Sequence, residues 1–206
     1  MILSTAYLGN IRYYTKLLGG GAVIDLHEHY CKQSYRNRCD ILTANGVCPL
    51  IVPVLHPSGE KVPVRDIRID RSKKWRHQHW QAIVSAYRRS PYFAYYEEEM
   101  APLYARSYEF LCDLNEALQR LLLGWLGAEG AVAHSDRYVE DVPEADDFRS
   151  ALSPKPRLDR PDPAFVPQPY YQVFSDRFPF CENLSVVDLL FCEGPGAAEV
   201  LRASMR

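Results

Sequence analysis

A dense group of polar side chains occupies residues 27–38, directly after a predicted β-strand. Arg36 and Arg38 are two residues apart, so both would project to one side of an extended chain. With Lys32 nearby they suit a phosphate or carboxylate, because a guanidinium fork binds such anions through two parallel hydrogen bonds. We therefore predict an anion-binding cradle here. Its predicted binding residues are Lys32, Gln33, Arg36, Asn37 and Arg38.

The position of this cradle favours a ligand site, because ligands of open α/β sheets bind outside the carboxyl ends of parallel strands. A second interpretation is a solvated turn whose arginines pair with Asp and Glu at the rim of the core. Both interpretations fit the sequence, since charged runs are common in turns.

The histidines supply candidates for proton transfer. His27 and His29 would lie on one side of a strand and could face one metal ion, but no third ligand is identifiable, so no metal is predicted. His79 shares a helix face with Trp75 and could act as a general acid or base. It could equally be a buried histidine that is hydrogen-bonded to the backbone. We predict His79 or His27 as the proton-transfer group, Trp80 as a binding residue and Asp188 as a group that steers a histidine or amine.

The elements that position these residues alternate in type at the start of the chain. A short β-prone run, a helical spacing from Ile11 to Leu18 and a second β-prone run predict a βαβ unit, and Gly19–Gly21 ends the helix. Two further β-prone runs joined by Asn45-Gly46 predict a hairpin with a type I′ turn. These runs predict a mixed sheet, parallel in one part and antiparallel in the other.

Helical periodicity dominates the middle of the chain. One helix is predicted from Lys73 to just before Pro91, and one long helix near residues 102–126, with Pro102 in its first turn. Residues 129–169 are rich in proline and charge, which predicts an irregular loop or flap. A β-like run at 170–174, a helix from Ser185 and a last helix at 197–203 complete the prediction. The fold class is α/β, with residues 1–206 as a single domain.

Composition excludes several classes of function. Apolar residues make up 47% of the 206 residues and the formal net charge is −2, which argues against nucleic-acid or membrane-surface binding. No run approaches the roughly 20 apolar residues of a membrane span. The six cysteines have no paired spacing and no disulfide framework is expected. We expect a cytoplasmic protein that binds an anionic small molecule.

Several sequence blocks carry a resemblance to a known family. They are Leu3–Leu8 with Tyr13-Tyr14-x-Lys16-Leu17, Lys32–Cys39, Trp75-x-x-x-His79-Trp80, Ser90–Phe93 and Leu184–Pro195. In their order and spacing the chain resembles the WbqC-like protein family of bacteria. Many members carry His-Gln-Pro near the first strand, whereas this chain has Ser4-Thr5-Ala6.

The resemblance implies a role in surface-polysaccharide or O-antigen assembly. Within that role it implies a transferase that decorates a nucleotide-linked or otherwise anionic sugar, by acyl or aminoacyl transfer. The alternative is a non-catalytic binding or scaffold protein of the same pathway. A perturbed histidine in a closed pocket would favour the enzyme.

Overall fold

The computed structural model describes residues 1–55, 61–128, 130 and 132–206, and its elements are those of an α/β protein, as predicted. The strands are β1 (Ile2–Leu3), β2 (Val23–Ile24), β3 (Arg38–Thr43), β4 (Gly46–Ile51), β5 (Val54–Leu55), β6 (Arg68–Ile69) and β7 (Ala133–His134). The helices are α1 (Ile11–Leu18), α2 (Trp75–Tyr87), α3 (Phe93–Ala105), α4 (Leu111–Trp125), α5 (Val186–Glu193) and α6 (Ala197–Ala203).

A parallel sheet of order β1-β2-β7 begins with the predicted βαβ unit. Helix α1 connects β1 to β2, which pair in parallel with Ile2 opposite Val23. The side chain of Asn10 accepts a hydrogen bond from the Tyr13 amide and so caps the start of α1. The glycines that come after Leu18 end it, as the sequence predicts. Helix α1 thus returns the chain to the same sheet.

The predicted hairpin is present as β3 and β4, but its turn differs from the prediction. Thr43 pairs with Gly46, which places Ala44 and Asn45 in the turn. Gly46 has a φ of +96°, whereas Asn45 is not among the residues with positive φ. A type I′ turn needs positive φ at both central residues, so that turn type was wrong. The prediction of one mixed sheet was also wrong, because the antiparallel pairs β3–β4 and β5–β6 form sheets of their own.

The predicted long helix near residues 102–126 is two helices. Helix α3 begins at Phe93 and ends at Ala105, so Pro102 lies inside it rather than in a first turn. Helix α4 begins only at Leu111. The intervening residues pair with the β6 region: the Glu109 carbonyl accepts from the Ile69 amide, and the Leu111 amide donates to the Ile67 carbonyl. These long-range bonds compete with a continuous helix.

The Pro-rich segment is tied to the parallel sheet. Its positions 129 and 131 lie outside the described residues; the rest contains β7 and one 3₁₀ turn, Glu144–Asp146, as its regular elements. The carboxylate of Asp25, which comes directly after β2, accepts hydrogen bonds from the Ser135 hydroxyl, the Val139 amide and the Arg149 guanidinium. The segment therefore contributes a strand and a buried ion pair to the domain.

The C-terminal region packs its helices into the core. Residues 170–174, predicted as β-like, form no strand. Helix α5 starts after Ser185, whose hydroxyl donates to the Leu8 carbonyl instead of capping the helix. Gly194, with φ +53°, follows the last residue of α5 and begins the 3₁₀ turn that leads to α6. Among the described residues, no helix combines the length and apolar character needed to cross a membrane.

Candidate functional site

Arg36 is buried and is bonded to a carboxylate and a backbone carbonyl of the protein. Its Nε lies 2.9 Å from Glu28 Oε1, one terminal nitrogen contacts Glu28 Oε2 at 2.5 Å, and the same nitrogen donates to the Arg149 carbonyl at 2.9 Å. Only 3% of Arg36 is exposed. Burial raises the pKa of Glu28, and the adjacent guanidinium opposes that rise. The fork predicted to hold a ligand therefore holds a carboxylate of the protein, as in the second interpretation.

The other residues of the predicted cradle do not converge on a common ligand site either. The Asn37 amide donates to the Val52 carbonyl and is buried. Arg38 is partly exposed and pairs with Asp40 at 2.8 Å. Lys32 and Gln33 are exposed on the turn before it. The structure thus corrects the prediction that Arg36, Asn37 and Arg38 line one pocket with Trp80 or His79.

The pair His27 and His29 lacks the strand geometry assumed for it. Residues 26–28 form a bend, and His29 makes a single bridge to Pro63. His27 Nδ1 lies 3.2 Å from a terminal nitrogen of Arg65, a group that competes with any bound cation. Within the described ranges, no group of three His, Cys, Asp or Glu side chains is placed to hold a metal ion.

Asp188 is a buried structural acceptor. One carboxylate oxygen accepts from the Tyr87 hydroxyl at 2.7 Å, and the other from the Tyr170 hydroxyl at 2.6 Å and the Gln172 amide at 3.1 Å. Burial raises the pKa of Asp188, and the three hydrogen bonds oppose the rise. Among the residues that the structure describes, its hydrogen-bond partners include no histidine or amine, so the geometry does not support the predicted steering role.

His79 is linked to a neighbouring pocket by a chain of hydroxyls. Its Nδ1 lies 2.9 Å from the Tyr7 hydroxyl, which lies 2.7 Å from the Tyr104 hydroxyl. Burial lowers the pKa of His79 to about 4, and a hydrogen bond to the Ile51 carbonyl opposes this. The imidazole is therefore neutral at physiological pH, and its Nδ1 faces the Tyr7 hydroxyl. His79 is 6% exposed.

A cavity of about 630 Å³ opens where the N-terminus of α2 meets the C-terminal half of α3. We call it the basic pocket. It is lined by Arg71, Ser72, Lys73, Lys74, Arg76, His77, Trp80, Ala101, Tyr104 and Ala105. Trp80 is the only residue of the predicted site in this lining.

Helix geometry explains why these side chains converge. Arg76 and His77 lie four and three positions before Trp80 in α2, so their side chains are neighbours of Trp80 on the helix surface, and Lys73 and Lys74 directly precede the helix. Ala101 and Ala105 on the facing helix are small and leave room for a ligand. Trp80 packs against Tyr104 with ring centroids 5.6 Å apart. Arg76 is fixed in place because it donates to the Ala105 and Arg106 carbonyls.

Arg71, Lys73 and Lys74 give the pocket its charge. All three are exposed and, in the part of the chain that the structure describes, none forms an ion pair with a carboxylate. Lys74 precedes α2 and no side chain caps the helix. Its free N–H groups and macrodipole therefore add to the positive potential. The pocket combines unpaired positive charge with an aromatic wall, an arrangement suited to an anionic ring compound.

The sequence contains a pattern that indicates this pocket, but the prediction favoured residues 27–38 because they carry more charged side chains. The run from Arg71 to Arg76 has four lining cations around a helix start, and Trp80 lies on the same predicted face. Tyr104 could not be associated with it, because the long helix was predicted to begin near residue 102 and Tyr104 belongs to the end of α3 instead.

The fold is α/β with a small parallel sheet, and it carries a basic, aromatic-walled pocket. The chain belongs to the WbqC-like protein family, whose family model matches residues 9–150. An uncharacterised protein of Mycobacterium tuberculosis is 30% identical over 110 residues, which are 53% of this chain and 47% of that relative. The match thus spans about half the length of the relative. No solved structure matches the chain significantly.

Proposed function

We propose that the chain binds an anionic sugar derivative in the basic pocket and acts in the cytoplasm as a transferase of bacterial surface-polysaccharide biosynthesis. The transferred group is an acyl or aminoacyl group, and the acceptor is a nucleotide-linked or otherwise anionic sugar. The observation that carries the binding step is the set of three cations around one cavity, Arg71, Lys73 and Lys74, none of which forms a close ion pair among the described residues.

The dimensions of the pocket fit a phosphate attached to a ring. Arg76 and Trp80 both lie in α2 and are separated by four positions. At 1.5 Å rise per residue this separation is roughly 6 Å along the axis of the helix. A phosphate beside the cations would thus place an attached sugar or base ring against Trp80. Indole faces suit such rings because they offer a large apolar surface.

His77 is the proton-transfer group that the geometry favours. It lines the pocket and is exposed, whereas His79 is buried, is not part of the lining and is connected to Tyr104 only through the Tyr7 hydroxyl. An imidazole beside a bound sugar can remove a proton from the attacking hydroxyl. The alternative function, a non-catalytic binding protein, is favoured by one observation: His79, the histidine whose pKa is strongly shifted, is not part of the pocket lining.

Binding is tested by isothermal titration calorimetry with inorganic pyrophosphate and UDP-glucose as probes. The double variant Lys73→Glu/Lys74→Glu should raise Kd at least about tenfold, since two charge-assisted contacts of roughly 1.5–3 kcal/mol each are lost. Lys32→Glu is the matched control, because Lys32 is exposed and lies outside the pocket. Equal weakening in the control and the double variant would show non-specific attraction and contradict the proposal.

Catalysis is tested by supplying acyl thioesters and aminoacyl donors together with UDP-sugars, and detecting the acylated sugar by mass spectrometry. His77→Gln should abolish turnover and leave Kd for UDP-glucose unchanged. A wild-type protein that binds the UDP-sugar but modifies it with none of these donors would favour the binding-protein alternative.

A further inference from the structure

The two helices that form the basic pocket are joined by one buried hydroxyl group. Helix α2 contributes Trp80 to the lining, and α3 contributes Tyr104. The Tyr7 hydroxyl lies 2.9 Å from His79 Nδ1 on α2 and 2.7 Å from the Tyr104 hydroxyl on α3. Tyr7 is fully buried and is not part of the lining. Its hydroxyl therefore connects both helices without lying on the pocket surface.

Tyr7 is itself held in place by the N-terminal part of the fold. It lies in the turn between β1 and α1, where its amide donates to the Tyr35 carbonyl at 3.0 Å. A hydroxyl has one proton and two lone pairs, so Tyr7 can bond both of its partners at once. Tyr7 is separated from His79 by 72 positions and from Tyr104 by 97. These long-range bonds attach the pocket helices to the βαβ unit.

The Tyr104 ring is held at both of its ends. Its Cα belongs to α3, and its hydroxyl is bonded to Tyr7. The ring packs beside Trp80 with centroids 5.6 Å apart and planes inclined at 31°. Without the bond to Tyr7 the ring would be attached to the fold through α3 alone. The relative placement of the two pocket rings thus depends on a hydroxyl outside the lining.

The cationic end of the pocket is fixed by a different contact. Arg76 on α2 donates to the carbonyls of Ala105 and Arg106, at the end of α3. The three cations that carry the proposed anion site precede α2 in the chain. Neither the Arg76 contact nor these cations involve the Tyr7 hydroxyl. The part of the pocket that suits a phosphate is therefore positioned separately from its aromatic part.

We propose that Tyr7 is a positioning residue that makes the basic pocket selective for anions that carry a ring. Tyr7 and His79 together hold Tyr104 so that a ring attached to the bound phosphate packs against Trp80 and Tyr104. Inorganic pyrophosphate has no ring and does not use this part of the pocket. The inference rests on the proposed function and deepens it, because it assigns ring recognition to a hydroxyl that does not touch the ligand.

The test compares Kd for UDP-glucose with Kd for inorganic pyrophosphate, by isothermal titration calorimetry of the full chain. Tyr7→Phe removes the bridging hydroxyl and keeps the ring that fills the core. Kd for UDP-glucose should rise about fivefold, the effect of one net hydrogen bond, and Kd for pyrophosphate should stay unchanged. Partial unfolding would weaken both probes alike. The matched control is Tyr13→Phe, which removes a buried hydroxyl bonded to the Ser4 carbonyl outside the pocket.

Further variants test the same bond if Tyr7→Phe folds poorly. Tyr104→Phe removes the bond from its other end and keeps the ring, so it should change selectivity by a similar factor. The double variant Tyr7→Phe/Tyr104→Phe should be no weaker than either single variant, because the shared bond is lost only once. His79→Asn places an amide group near the position of Nδ1 and should bind UDP-glucose more tightly than His79→Leu.

The outcomes separate this inference from the proposed function. If the ratio of the two Kd values is unchanged in Tyr7→Phe and Tyr104→Phe, the inference is overturned while the proposed function stands. Additive losses in the double variant also overturn it, because they show that the two hydroxyls act independently. A wild-type chain that binds neither probe overturns the proposed function, and the ring selectivity fails with it.

Discussion

Replacing Arg36 should damage stability rather than ligand binding. Arg36→Met leaves the Glu28 carboxylate buried, 4% exposed, without the guanidinium that now pairs with it. Removing one partner of a buried ion pair costs about 3–5 kcal/mol, a large part of the roughly 5–15 kcal/mol that stabilises a typical domain. Arg36→Lys keeps the charge but cannot make the two-pronged contact. We expect it to cost about 1.5–3 kcal/mol, the contribution of a charged hydrogen bond.

The stability that Arg36→Met loses should depend on pH in a predictable direction. Burial already raises the pKa of Glu28 and Arg36 opposes this, so Arg36→Met raises that pKa further. A carboxyl that binds its proton more tightly when folded loses stability as pH rises through its folded-state pKa. The defect of Arg36→Met should therefore be largest at neutral pH and shrink on acidification. Arg36→Met/Glu28→Met should recover much of the stability, because no charge is left buried.

The assay is urea denaturation monitored by circular dichroism at pH 7 and pH 5, with pyrophosphate titrations of each folded variant in parallel. The m-values should match the wild type, so that midpoint shifts report stability alone. Wild-type stability of Arg36→Lys combined with lost pyrophosphate binding would refute this reasoning. It would show that Arg36 is an anion ligand, as charge density alone indicates.

Three further perturbations test other parts of the structure. Asp188→Asn replaces an oxygen acceptor facing Tyr87 or Tyr170 with a donor, and should lower the free energy of unfolding by about 1–3 kcal/mol in urea denaturation. His79→Gln breaks the bond to Tyr7; the melting temperature should fall while Kd for pyrophosphate is unchanged by calorimetry. Asp25→Asn weakens the attachment of residues 135–149 to the parallel sheet, so limited proteolysis should cleave there faster than in the wild type.

Local signals predicted the first part of the fold well. The βαβ unit was predicted from helical spacing at Ile11–Leu18 and the glycines after it, and the hairpin from its turn residues. The turn type was missed because Gly46 alone takes positive φ and Asn45 does not. A dipeptide indicates that a turn exists more reliably than it indicates where the turn is centred.

The division of the predicted long helix depends on contacts distant in sequence. Continuous helical spacing runs through residues 106–110, yet Phe110 bridges to Arg68, and its neighbours bond to Ile67 and Ile69. Pro102 has no amide N–H to donate to the Glu98 carbonyl four positions earlier in α3. The proline is tolerated because Glu98 is exposed, so water can donate to that carbonyl instead. Neither effect can be read from a local window.

Charge pairing explains why the sequence predicted an anion site at the cradle and not at the basic pocket. Arg36 and Arg71 look alike in sequence, but Arg36 faces Glu28 in the core and Arg71 faces a cavity. The backbone carbonyl that completes the Arg36 contacts comes from Arg149, 113 positions away, which no spacing rule would find. An anion is attracted by cationic side chains that are not already paired with carboxylates of the protein itself. On that criterion we place the proposed site at the start of α2, where the helix dipole adds to the charge of Lys73 and Lys74 and the Asp70 carboxylate offsets only part of the Lys73 charge.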